Sequence, residues 1–133
     1  MAKPQSLADV DATVCVAADK FCSLFYEAYD KRRNMVSNMY TDTACMVWNG
    51  NPVSGRAEID KFITNLSSSD FKVKSVDAQA ISDKLTGGSS SMILLVAGSV
   101  KYDNIIRCFT ETFILTAESD KWKIASDRFR FLD

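Results

Sequence analysis

Histidine is absent from the entire chain of 133 residues. That removes the side chain most often used as a general base near neutral pH and as a neutral metal ligand. Cysteine is scarce and scattered: Cys15, Cys22, Cys45 and Cys108 form no CxxC pair. Structural zinc needs clustered Cys and His, so the expectation is no metal and no cofactor, with free thiols in a reducing compartment. Cys15 and Cys22 lie seven apart and would share one face of a helix as small core residues. A basic excess is also missing, since 16 Lys and Arg stand against 17 Asp and Glu for a net charge of −1. Phosphate neutralisation needs positive surplus, so direct nucleic-acid binding is not expected. No apolar run approaches the ~18–20 residues of a membrane span. The stretch Met1 to Ser6 lacks the apolar centre of a signal peptide, which leads to the expectation of a soluble, intracellular protein without membrane contact.

What is there is an ordinary globular composition, 47% hydrophobic and 25% charged. The chain suits one domain spanning 1–133, long enough to bury roughly two-thirds of its unfolded surface. Its centre is Met92 to Val100, nine residues between the breaker Gly87-Gly88-Ser89-Ser90-Ser91 and the turn-like Lys101-Tyr102-Asp103-Asn104. Such a run suits a strand. It lacks alternation: one face would carry Met92, Leu94, Val96 and Val100, the other Ile93, Leu95 and Ala97. A strand apolar on both sides must be covered on both sides.

Ahead of it, Ser6 can cap a helix running to about Asp30. Leu7, Val10, Val14, Ala17, Ala18, Phe21, Leu24, Phe25, Ala28 and Tyr29 recur at helical spacing as a wide apolar stripe. Lys31-Arg32-Arg33 is expected to be a solvated corner. Asn34 to Tyr40 predicts a short helix, Ala44 to Trp48 a strand, and Asn49-Gly50-Asn51-Pro52 a hairpin turn leading to Val53-Ser54. Ile59, Phe62, Ile63 and Leu66 mark a third helix from about Arg56, with Ser54 near its start and Glu58 in its first turn.

The remainder is β. Phe71 to Ser82 alternates weakly, with Phe71, Val73, Ser75, Asp77, Gln79 and Ile81 on one face. The loop Asp83 to Ser91 is expected to be the most mobile segment. Strands at Ile105 to Thr116 and Trp122 to Leu132 flank a turn at Glu118-Ser119-Asp120-Lys121. Three helices followed by strands joined as hairpins predict an α+β domain with the helices on one face of an antiparallel sheet. Those helices cover one face only. The other face of the central strand, and of Ile105 to Thr116, would be bare and apolar, which marks an interaction surface.

Tyr40 to Gly55 (YTDTACMVWNGNPVSG) resembles the nuclear transport factor 2-like family where helix gives way to the first hairpin. Phe113 to Ala117, Trp122 to Phe131, Lys31-Arg32-Arg33 and Gly98-Ser99-Val100-Lys101 are similar to its export branch, the small subunit of the mRNA export receptor. The similarity spans nearly the whole chain. It implies a cone-shaped fold, three helices on a strongly curved antiparallel sheet whose other face dimerises. It implies a non-enzymatic subunit that heterodimerises with the homologous domain of the large export receptor. Phenylalanine–glycine repeats of nuclear pore proteins would be bound through the complex, and the protein would shuttle between nucleus and cytoplasm.

In that branch an acidic residue on the first long strand and an arginine near the C-terminus make charge pairs across the interface. These fall on Asp77 and Arg130. The residues themselves agree in part, since Arg128 and Arg130 share one face of the last strand while Phe129 and Phe131 share the other. The expected partner-interface residues are therefore Asp77, Arg130 and Arg128, and no catalytic residue is expected. Two alternatives remain. One is a homodimeric carrier that imports a small GTPase in its GDP form, which in that branch needs acidic residues at the cone mouth. Here Asn49 follows Trp48, and no acidic cluster can be placed there. The other is a cone-cavity isomerase or dehydratase, for which Tyr26, Tyr29 or Tyr40 could give a hydroxyl and Glu111 or Asp127 a carboxylate. Spacing alone does not assemble them, and Phe21, Phe25, Trp48 and Phe62 are expected to fill the cone.

Overall fold

The computed structural model describes residues 7–81 and 90–132, with side chains from residue 13 onward. Helix α1 spans Leu7–Lys31. Val14, Ala18, Phe21, Cys22, Phe25, Tyr26, Ala28 and Tyr29 are buried along it, at the three- and four-residue steps that keep side chains on one helical face. Leu24 sits at the edge of that stripe and is half exposed. The stripe positions Leu7 and Val10, and the cap Ser6, lie outside the described side chains. A 3₁₀ helix, Arg33–Met39, follows and buries Val36. Tyr40, expected to end that helix, instead has extended backbone and opens strand β1, Tyr40–Trp48.

Asn49 and Gly50 have φ of 48° and 87°, the left-handed pair that a two-residue hairpin demands. They return the chain as β2, Asn51–Ser54. Helix α2, Arg56–Thr64, is entered through Gly55 at φ 86° rather than through a Ser54 cap, and Ile59 and Ile63 are its buried anchors. Four long strands follow: β3 Ser69–Ile81, β4 Ser91–Tyr102, β5 Ile105–Glu118 and β6 Lys121–Phe131. Asp103-Asn104 and Ser119-Asp120 turn β4 into β5 and β5 into β6, again with positive φ at both positions. The loop expected to be mobile lies outside the described residues except at its end.

The strands form one sheet in the order β2-β1-β6-β5-β4-β3. It is mixed, not antiparallel throughout: β1 runs parallel to β6. Hairpin turns reveal local antiparallel pairing, but the β1–β6 contact joins segments some eighty residues apart and leaves no local trace. The three helical segments occupy one face. Met92, Leu94, Val96 and Val100 of β4 are buried there, together with Phe109, Phe113, Leu115, Ile124 and Phe129. Phe25 lies at the centre, its ring 5.1–6.5 Å from those of Phe21, Tyr26, Tyr29, Tyr40 and Phe113.

β3 departs from simple alternation. Val73 faces Gly98 and Ser75 faces Ala97, so Lys74 is an extra residue in the ladder. Such a bulge increases local twist and resets the phase of the strand beyond it. Phe71 and Val73 therefore share the inner face with Val76, Ala78 and Ala80, not with Ser75, Asp77 and Gln79 as the alternation predicts. Gly98 makes the bulge possible, because a Cβ there would lie 2.1 Å from the Lys72 carbonyl oxygen.

Candidate partner-binding face and the sealed interior

The face of the sheet turned away from the helices can be read off the cross-strand register. One row runs Val47, Arg128, Thr112, Leu95, Asp77 across β1, β6, β5, β4 and β3. The next runs Arg130, Thr110, Ala97, Ser75. Directly opposed residues project to the same side, so Asp77, Arg128 and Arg130 lie on one face. Asp77 comes to this face only through the β3 bulge. It is three strand spacings from Arg128, about 14 Å, beyond the reach of an ion pair within the chain. Among the described residues, the ion pairs are Arg56–Asp42 and Lys61–Glu58, and neither arginine of β6 is in one.

Around these charges the face is apolar and open. Leu95 is 47% exposed and Ile106 69%, while Ile114, Cys45 and Cys108 are also exposed. Ile93 and Ala97 are half buried. A shallow depression of about 290 Å³ is lined by Val47, Gly50, Thr110, Thr112, Arg128, Phe129 and Arg130. Its two guanidinium groups over a partly apolar floor suit a carboxylate offered by another protein.

The interior presents different chemistry. The Tyr26 hydroxyl donates to Glu111 Oε1 at 2.7 Å, and the Tyr40 hydroxyl donates to Asp127 Oδ2 at 2.6 Å. The register sets Glu111 opposite Phe129 and Phe113 opposite Asp127, so the two carboxyls sit one diagonal step apart on neighbouring strands of the buried face. Spacing could not assemble these groups because each tyrosine–carboxylate bond spans more than eighty residues; α1 and β1 meet the β5–β6 hairpin only in the folded domain. Burial holds both carboxyls above their ordinary range, Glu111 further so by the neighbouring Asp127. Burial likewise raises Tyr26 and Tyr40, with the nearby carboxylates adding to it, and pushes the Cys22 thiol up to about 12.

Hydroxyl and carboxylate within hydrogen-bond reach is what acid–base catalysis requires, but a substrate must also arrive. All four side chains are at most 5% exposed. Aromatic rings fill the space around them, with Tyr26 6.1 Å from Phe109 and 6.5 Å from Phe113. At the mouth of the cone, Trp48 stacks on Phe129 at 5.3 Å and meets Phe62 at 5.7 Å. The remaining opening there, about 220 Å³, is bordered by Tyr102, Asp103, Ile105, Arg107 and Phe131 among others. Among the described residues that line it, Asp103 is the one carboxylate and Arg107 the one cation.

A helix–sheet cone with a solid interior and an open sheet face is matched by proteins of known kind. The model of the nuclear transport factor 2 (NTF2) domain matches residues 17–131. The chain belongs to the NTF2 domain family. It is 42% identical to NTF2-related export protein 1 of Bos taurus over 90% of this chain and 89% of that one. Against the NTF2-related export protein of Caenorhabditis elegans it is 37% identical over 100% of this chain and 98% of the other. In fold it is similar to a chain of the C. albicans Mtr2–Mex67 M domain complex, with a TM-score of 0.72 at 11% identity, covering 90% of this chain and 96% of that chain.

One NTF2-domain residue with a defined task escaped the sequence. Arg33, expected in a solvated corner with the exposed Lys31 and Arg32, is a clamp. Its Nε donates to the Tyr29 carbonyl at 2.6 Å, its Nη1 to the carbonyls of Ile63 and Leu66, and its Nη2 to Ser67 O and Ser69 Oγ. The guanidinium also lies 4.5 Å from the Tyr29 ring centre. It thereby adds donors to the carbonyls where α2 ends, of which Ile63 O already accepts from Leu66 N at 3.1 Å. The signal available in sequence was only that arginine, unlike lysine, presents a planar fork.

Proposed function

We propose that this chain is a non-enzymatic binding subunit that pairs through its open sheet face with the homologous domain of the large mRNA export receptor. In that role it supports binding of phenylalanine–glycine repeats by the complex and shuttles between nucleus and cytoplasm. The observation that carries the proposal is the central strand β4: its inner residues are fully buried, yet Leu95 on its outer side is 47% exposed among further apolar residues. A face of that character favours a lasting partner over solvent. Relatives bearing the name export protein, and a fold neighbour taken from a two-protein complex, support the choice of partner.

Arg130 and Arg128, and Asp77 at the far end of the same face, are proposed to select the partner. An arginine on an apolar face costs free energy unless a carboxylate meets it, so a partner that brings a carboxylate into register is favoured, and in a homodimer the Asp77 of the second copy is the group that could do so. Catalysis finds no support in the filled interior, and GTPase carriage finds none in a cone mouth whose described lining holds one carboxylate, Asp103, and one arginine, Arg107.

Molar mass by light scattering, for the chain alone and mixed with the export-receptor domain, tests the proposal. A clean one-to-one complex is expected. A tight homodimer that ignores the added domain favours the import-carrier alternative, and a monomer in both samples removes the sheet face as an interface. Arg130→Asp is expected to weaken the complex by about 2–5 kcal/mol if the pair is desolvated; unchanged affinity in a titration takes Arg130 out of the interface.

A further inference from the structure

We propose that the sealed interior stores one proton, shared between Glu111 and Asp127, and that this proton makes the fold a pH-sensitive device that loosens as the solution becomes alkaline. The geometry points to it. Two carboxyls buried as diagonal neighbours on β5 and β6 present only acceptors to one another when both are ionised. Asp127 Oδ2 takes the Tyr40 proton at 2.6 Å, but Asp127 Oδ1 is buried with no fixed N–H or O–H donor in reach. A proton on Glu111, directed at Asp127, supplies the missing donor. Glu111 Oε1 keeps its own bond from Tyr26 at 2.7 Å. With one proton the four side chains form a continuous chain of donors and acceptors, Tyr26 to Glu111 to Asp127 from Tyr40.

Among the described residues, the groups facing the pair offer no charge to replace that proton. From α1 come Cys22, Tyr26 and Tyr29, from β1 Tyr40, and from β4 Tyr102, all uncharged near neutral pH. Asp19, further along α1, acts on Cys22 and adds negative charge only. Arg33, the cation on that side, is committed to the Tyr29 ring and to the carbonyls beyond α2. Losing the proton would leave two adjacent buried anions with two neutral donors. That arrangement carries a large desolvation cost.

The sign is set by the direction of the shift. Both carboxyls titrate higher in the folded protein than in the unfolded chain, whose carboxyls ionise near pH 4. The folded state therefore holds a proton that the unfolded state has already released. The contribution is fully present below the unfolded value and is lost as pH rises through the folded one. Most acid-sensitive domains behave in the opposite way.

Denaturant unfolding of the full chain, at fixed protein concentration and from about pH 5 to about pH 9, reads the stored proton directly. Wild type is expected to lose up to about tenfold in its folding equilibrium constant per pH unit over this interval. Glu111→Gln keeps the shape, donates an amide N–H to Asp127 and accepts from Tyr26, so its stability is expected to be flat over the same interval. A second reading needs no variant: difference infrared spectroscopy of wild type at neutral pH is expected to show the carbonyl band of a protonated carboxylic acid. Parallel pH profiles for wild type and Glu111→Gln overturn the proposal. So does the absence of that band in wild type, which decides the matter if the variant does not fold.

Discussion

Single side chains in this protein act over distances that the chain order conceals. Arg33 is the plainest case. It sits in a basic triplet, yet it joins the end of α1, the end of α2 and the start of β3 through five donated hydrogen bonds. Asp30, one turn earlier, completes the junction by accepting from Ser69 Oγ at 2.8 Å and from the Phe71 amide at 3.0 Å. Because the acceptors of Arg33 are four carbonyls and the Ser69 hydroxyl spread around its fork, a point charge cannot replace it. Arg33→Ala is expected to cost about 2–4 kcal/mol in denaturant unfolding, and Arg33→Lys to recover only part of that. Full recovery by lysine would show that charge alone is what the junction needs.

At the scale of elements, β3 and β4 show how one extra residue decides which charges reach the open face. The Lys74 bulge turns Ser75, Asp77 and Gln79 outward and leaves Phe71 and Val73 inward. It also draws the β3 backbone so close that only glycine fits at position 98. Gly98→Ala is expected to destabilise the domain by about 1–3 kcal/mol, as overpacking does. Deleting Lys74 removes the bulge while leaving both halves of β3 on their present faces. The two changes are therefore expected to be coupled, with Gly98→Ala costing clearly less in the Lys74-deleted chain. Additive costs would mean that the crowding at Gly98 does not arise from the bulge. Period-two alternation finds the strand but not the bulge, since a bulge is a property of two strands together.

For the whole molecule, the decisive asymmetry is between a sheet face covered by helices and one left open. The inner face is closed by aromatic packing around Phe25, Phe109, Phe113 and Phe129, each such ring contributing roughly 1.5–3 kcal/mol by leaving water. Among the described residues, the outer face has no such cover. Leu95→Asp, placed at the middle of the outer face where the side chain is already 47% exposed, is expected to leave the unfolding midpoint of the isolated chain nearly unchanged. The same substitution is expected to reduce pairing in light scattering by at least tenfold in affinity, about 1.4 kcal/mol. Loss of stability without loss of pairing would place Leu95 in the core instead.

Much of this architecture is legible in the order of residues. The helical stripe from Val14 to Tyr29, the turns at Asn49-Gly50 and Asp103-Asn104, and the two-sided apolar run from Met92 to Val100 are local patterns. Local patterns arise from backbone geometry, so they fix the elements and even announce that one face of the central strand stays apolar and open. The opposite phases of Phe129 and Arg130 are legible for the same reason. What depends on residues far apart in the chain was decided only in three dimensions: the parallel seating of β1 beside β6, the bulge that turns Asp77 outward, the carbonyls gathered around Arg33, and the meeting of Glu111 with Asp127. Each of these is a contact between segments that share no local pattern, and its energy exists only once the sheet has closed and water has left the interior.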